Sequence, residues 1–198
     1  MGKIETDHTG SGGGITLSSD GTSLLLDGTA IGGGGADLYA ANESSPAAQP
    51  SATGTNAVAI GDSAVASGQE SVAFSKSLAS GISSFSGPKS RAAGANSVAF
   101  GVSTNHSSTG ASNTGGVAIG RYAYSTGTDS ISLGKTATST STQALALGFE
   151  ATASNTQAVA IQASRATGTN SLAIQTEGPL NYGATGPYSI AIGRRAQS

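Results

Sequence analysis

The stretch VAIGRYAYSTGTDSISLGKTATSTSTQALALGFEATASNTQAVAI, residues 117–161, decides the fold. Apolar triplets begin at Val117, Ile131, Leu145 and Val159, fourteen residues apart. A glycine, a polar pair and a run of small residues fill most of each interval. Self-similarity at so short a period calls for a stacked repeat, in which each unit buries its surface against the next.

Nine triplets follow residue 52: Val58-Ala59-Ile60, Val72-Ala73-Phe74, Val98-Ala99-Phe100, Val117-Ala118-Ile119, Ile131-Ser132-Leu133, Leu145-Ala146-Leu147, Val159-Ala160-Ile161, Leu172-Ala173-Ile174 and Ile190-Ala191-Ile192. The three long steps read as a fourteen-residue unit plus an insertion, around Ser80–Ser90, Ser103–Thr109 and Glu177–Tyr182. Insertions in a solenoid map to loops, often on a binding face.

Each triplet is a short strand by its β-branched content, and its side chains alternate between faces. The bulky first and third residues share one face and are expected to fill the roll. The middle residue, Ala in eight triplets and Ser in one, is expected to face a second chain closely. This assigns Ala59, Ala73, Ala99, Ala118, Ser132, Ala146, Ala160, Ala173 and Ala191 to a subunit interface. Ala118→Glu with Ala146→Glu should then block assembly. Four residues before each triplet stands Gly54, Gly68, Gly94, Asn113, Gly127, Ser141, Asn155, Gly168 or Gly186. Glycine and asparagine there suggest a positive-φ turn. A second glycine follows most triplets. Between the two turns lies a second short strand, such as Ala64-Val65-Ala66 or Ala123-Tyr124-Ser125, with small residues inward and larger ones outward.

Composition agrees with a thin, linear core. The 198 residues include 30 glycines, no Cys, no Trp and one Met, and only 10% are charged. Absent cysteines exclude disulfide and thiolate chemistry. The net charge is −2 and no basic cluster appears, so neither nucleic acid nor membrane insertion is expected. No signal peptide is visible at the start.

Before the repeat, residues 1–50 read as a glycine-rich attachment segment, and residues 51–198 as the repeat domain. Two apolar runs flank Asp20-Gly21, a hairpin signal. Asp37–Ala41 could add a strand or a helical turn, and residues 42–51, with two prolines, read as a linker.

The segments TNAVAIGDSAVASG (55–68), TNSLAIQTEG (169–178) and PYSIAIGRRAQS (187–198) resemble the head repeats of trimeric autotransporter adhesins, the YadA-like head. The resemblance covers residues 52–198. It implies an all-β fold: a left-handed parallel β-roll of about fourteen residues per rung, three chains to a homotrimer. Adhesins of that family also carry a signal peptide, a coiled-coil stalk and a membrane barrel, none of which is visible in the sequence. The same repeat occurs in bacteriophage fibre proteins, and GSGGGITLSSDGTSLLLDGTAIGGGG (10–35) resembles the glycine-rich leaders of phage virion proteins. The expectation is a phage fibre or spike made in the host cytoplasm. It would attach to a virion protein by its N-terminus and present its C-terminal end to the host surface or a further fibre protein. The alternative is an adhesin head on a bacterial surface that binds extracellular matrix.

No catalytic constellation appears, and no enzyme activity, cofactor or metal is expected. A trimeric glycan-cleaving enzyme would need paired carboxylates, and acids are sparse. His8 and His106 have no partner signals for metal or acid–base work. Candidate exposed contacts are Phe85, Lys89 and Arg91 in the longest insertion, His106 in the next, and Tyr122 and Tyr124 beside the Gly120 turn. Arg194 and Arg195, near the last residue, suggest an end that another protein or the other chains would cover.

Overall fold

The computed structural model describes residues 49–101, 110–175 and 182–198, together with the backbone of three short N-terminal strands. The chain divides into two units, Met1–Asn42 and Glu43–Ser198. In the first unit, Leu17–Ser19, Leu24–Leu26 and Thr29–Ile31 form an antiparallel sheet in that order. The expected hairpin is present, with Leu17 opposite Leu26. Asp37–Ala41 and residues 42–48 lie outside the described residues.

The second unit is a parallel β-solenoid, with no helix among the described residues. Two sheets face each other. Ten strands, mostly the triplets, form one; nine two-residue strands form the other. Neighbours in each sheet are successive rungs in register: Val117 pairs with Ile131, Ile131 with Leu145 and Leu145 with Val159. At about 4.8 Å per rung, ten strands stack to about 43 Å.

The interior is made almost wholly of alanine and serine. Ala73, Ala99, Ala118, Ala146, Ala160 and Ala173 of the triplet strands have no solvent exposure in the single chain, and neither do Ala66, Ala92, Ala111 and Ala153 of the doublet strands. Cα atoms of the two sheets come within 8 Å of each other. Ordinary stacked sheets stand about 10 Å apart, because larger side chains fill the gap. The expectation for the triplets is therefore reversed. Their middle residues fill the roll, and their bulky first and third residues point out. There is no room between the sheets for a Val or Ile side chain on every rung.

Buried hydroxyls in this narrow space mostly find partners. Ser130 Oγ donates to Gly127 O at 2.8 Å and lies 2.6 Å from Ser125 Oγ. Ser132 and Ser139 hydroxyls meet across the roll at 2.7 Å. Ser84 and Ser97, each just ahead of a triplet strand, are buried without a partner. Rungs elsewhere carry Ala at that place, at Ala144 and Ala158. An unpaired buried hydroxyl costs about 1–3 kcal/mol. Ser84→Ala and Ser97→Ala should therefore each raise the melting temperature, whereas Ser130→Ala should lower it. Thermal denaturation followed by circular dichroism measures all three.

The 26-residue step from Val72 to Val98 is not a rung plus an insertion. Phe85–Ser86 forms a strand between them, pairing with Val72–Ala73 on one side and Val98–Ala99 on the other. Two thirteen-residue rungs replace the expected loop. They save a residue in the turn that follows the triplet. Fourteen-residue rungs place a glycine there at positive φ, as at Gly61 (89°), Gly120 (131°) and Gly134 (132°). Residues 102–109 and 176–181, which hold most of the other two expected insertions, lie outside the described residues.

The turn ahead of each triplet also differs from expectation. Gly54, Gly68, Gly94, Gly127, Gly168 and Gly186 do not have positive φ; the left-handed residue comes two positions later, at Asn56, Glu70, Asn96, Asp129, Asn170 and Tyr188. Asn113, Ser141 and Asn155 likewise precede the left-handed Gly115, Gln143 and Gln157. Close approach explains the glycines. A Cβ on Gly127 would lie 1.9 Å from Ser141 O in the next rung. Where this place carries a side chain, that side chain donates to a carbonyl one rung on: Ser141 Oγ to Ser154 O at 2.9 Å, Asn155 Nδ2 to Thr167 O at 3.2 Å, and Asn113 Nδ2 to Thr126 O.

Candidate functional site

Three kinds of surface remain for contact with other molecules: the outward face of the triplet sheet, the outward face of the doublet sheet, and the two edges where the chain turns.

The triplet face is apolar along its whole height. Its first and third residues stack rung on rung, Val58, Val72, Phe85, Val98, Val117 and so on in one file, and Ile60, Phe74, Phe100, Ile119 in the other. They are half-buried by their neighbours and otherwise open. Phe100 is 46% exposed, Ile119 41%, Leu147 40% and Ile192 63%. Within this face three phenylalanines cluster. Phe74 and Phe85 rings lie 5.6 Å apart, and Phe85 stacks on Phe100 at 6.2 Å with planes 10° apart. Gly87 leaves the space for this packing, since a Cβ there would meet the Phe100 ring at 2.5 Å.

The expected interface residues lie elsewhere. Ala73, Ala99, Ala118, Ser132, Ala146, Ala160, Ala173 and Ala191 are enclosed by their own chain, and Ala59, in the first triplet, is partly so. None of them can meet a second chain across a face. The residues able to do so are the Val, Ile, Leu and Phe on either side.

The expected contact loops are also redistributed. Phe85 is a strand residue of the triplet face, and Arg91 is an exposed strand residue of the doublet face. Lys89 is an exposed turn residue. His106 lies outside the described residues. Tyr122 occupies the left-handed turn position, with the Arg121 guanidinium 5.0 Å above its ring. Tyr124 points outward from the doublet sheet, in register with Thr138 and, beyond it, Thr152. The outward and inward alternation expected for the doublet strands holds: Tyr124 is exposed and Ser125 buried.

The edges carry most of the charge. The turns ahead of the triplets form a leading edge, linked rung to rung by backbone bonds such as Asp129 N–H to Thr114 O at 2.9 Å. The turns after the triplets form a trailing edge, linked in the same way, as by Glu150 N–H to Lys135 O at 3.0 Å. Lys76, Lys89, Arg121, Lys135, Arg194 and Arg195 all stand on the trailing edge, although nothing in the sequence places them side by side. Asp62 and Glu150 stand on the same edge. The leading edge carries no Lys or Arg among the described residues, and bears Glu70 and Asp129. Among the described residues no three His, Cys, Asp or Glu side chains converge as a metal site would require.

The comparison with known families agrees with this architecture. No curated protein matches the chain. The model of the YadA head domain repeat matches residues 52–74, 86–104, 111–137, 139–161 and 184–198. These segments hold nearly every triplet strand together with the turns beside it, and they cover more than half of the sequence. The chain therefore belongs to the family of YadA head domain repeats.

Proposed function

We propose that the chain works as an adhesin-like, homotrimeric β-roll in which three triplet faces pack around a common axis. The single observation that carries this reading is the continuous apolar face. Contiguous apolar surface on this scale marks an interaction site. Closed cyclic assembly buries such a face completely, with no edge left to propagate. Trimers are also the form typical of YadA heads. The role is mechanical, not catalytic. Hydrogen-bonded rungs give stiffness, and three copies of the outward face give avidity.

The setting we propose is a fibre or spike of a phage virion. The N-terminal segment would attach to a virion protein, and the roll would face the host surface or a further fibre protein. The glycine-rich stretch at residues 10–35 supports this setting. The family match supports the second reading, the head of a bacterial surface adhesin. Mass spectrometry of purified virions and of host outer membranes separates the two. Abundance in virions at a multiple of three copies is expected; recovery only from membranes, on a longer polypeptide, would replace the first reading by the second.

A further inference from the structure

We infer that the two edges of the roll are a matched pair of charged seams, through which neighbouring copies lock side by side in register; this rests on the trimer proposed above. In a threefold prism with the triplet sheets inward, all strands run the same way around the axis. Each corner then joins the trailing edge of one protomer to the leading edge of the next. Closed symmetry sets equal rungs at equal height. The facing residues can therefore be read from a single chain, as the two turn residues that flank one triplet.

They are complementary. Glu70 and Lys76 flank the triplet 72–74, and Asp129 and Lys135 flank the triplet 131–133; all four are exposed. The two acids of the leading edge thus stand on rungs whose trailing edge offers a lysine. Where the trailing edge carries Asp62 or Glu150, the leading edge at that level carries neutral Asn56 or Gln143. No described rung opposes like charges. Within one chain, Lys76 reaches Asp62 at 3.2 Å and Lys135 lies over the Phe149 ring at 4.9 Å. Both are contacts along the trailing edge, which hold the ammonium groups there without crossing to the acids at the other end of the strand.

Charge exchange tests the seam. The trailing-edge variant Lys76→Glu with Lys135→Glu sets acid against acid at every corner. The leading-edge variant Glu70→Lys with Asp129→Lys sets lysine against lysine. Each should raise the concentration at which half the chains dissociate by about tenfold or more at low salt, since two repulsive pairs recur at three corners. The difference should shrink in about 1 M salt, where the Debye length is near 3 Å. The variant carrying all four substitutions restores opposite charges and should return to wild-type assembly. Sedimentation gives the dissociation, and circular dichroism confirms that each chain stays folded. If the wild type is trimeric but the four-fold variant is no better than the doubles, the lysines act within their own chain and the seam is wrong. If the wild type is not trimeric, the trimer reading itself falls, and the seam with it.

Discussion

Ala146→Glu is expected to destroy the roll rather than its assembly. Ala146 is fully enclosed between the two sheets and pairs with Ser132 and Ala160 in the rungs on either side. A carboxylate there has no water and no partner, and its longer side chain has no volume to occupy. The combined cost is on the order of 5 kcal/mol, the scale of a buried, uncompensated polar group with overpacking. In a structure whose units are held mainly by their neighbours, one broken rung also uncouples the two halves. The β-sheet signal should fall and protease sensitivity should appear near residue 146. The replacement would stop assembly as well, but by unfolding the chain.

Ile119→Glu with Leu147→Glu is expected to do the opposite. Both side chains stand on the outward triplet face and are about two-fifths exposed in the single chain. They lie in one file, with Leu133 between them. Glutamates there can extend into water without entering the roll, so circular dichroism should keep the wild-type β-sheet signal, while the melting temperature falls by what assembly contributed. The trimer loses about 2 kcal/mol for each apolar side chain removed from the common axis and gains a cluster of repelling carboxylates. Its dissociation constant should rise at least about a thousandfold, to the point where sedimentation shows a folded monomer. The two variants together separate the inside of the roll from its contact face.

Much of this architecture is legible in the residues. The period, the stacking of rungs, the two turns per rung and the alternation in the doublet strands all follow from spacing and from residue size, and the parallel roll from the resemblance to YadA-like heads. The face assignment does not. Alternation in Val117-Ala118-Ile119 proves two environments but not which one is inside. An ordinary core would take the Val and the Ile. Here the second sheet presents Ala and Ser as well, such as Ala111 and Ser125, and two small faces close on each other and leave the large residues out. The decisive signal was the size of the residues facing inward from both strands of the rung, taken together.

The hidden rung at Phe85 has a similar explanation. Its third place is Gly87, so it lacks the apolar pair that marks the other triplets. Gly81, four residues ahead of Phe85, and the small-residue endings of Leu78–Ala79 and Arg91–Ala92 repeat the spacing of the regular rungs. Those places, rather than the apolar pair, carry the rung. The turn glycines show that one residue type can answer different demands. Gly127 is needed for the backbone one rung away, whereas Gly134 is needed for its own φ as well as for the Gly148 carbonyl beside it. The charge pattern of the edges was invisible for a simpler reason: Lys76 and Lys89, and likewise Arg121 and Lys135, fall on successive rungs of one edge only once the rung length is known rung by rung.

Two further copies of the same chain are proposed to close the apolar triplet face. Sedimentation equilibrium of the wild type beside Ile119→Glu/Leu147→Glu tests it most directly. A wild type at three times the chain mass and a folded variant at the mass of one chain are expected. A wild-type protein that sediments as a folded monomer, or a variant that remains trimeric, would contradict it.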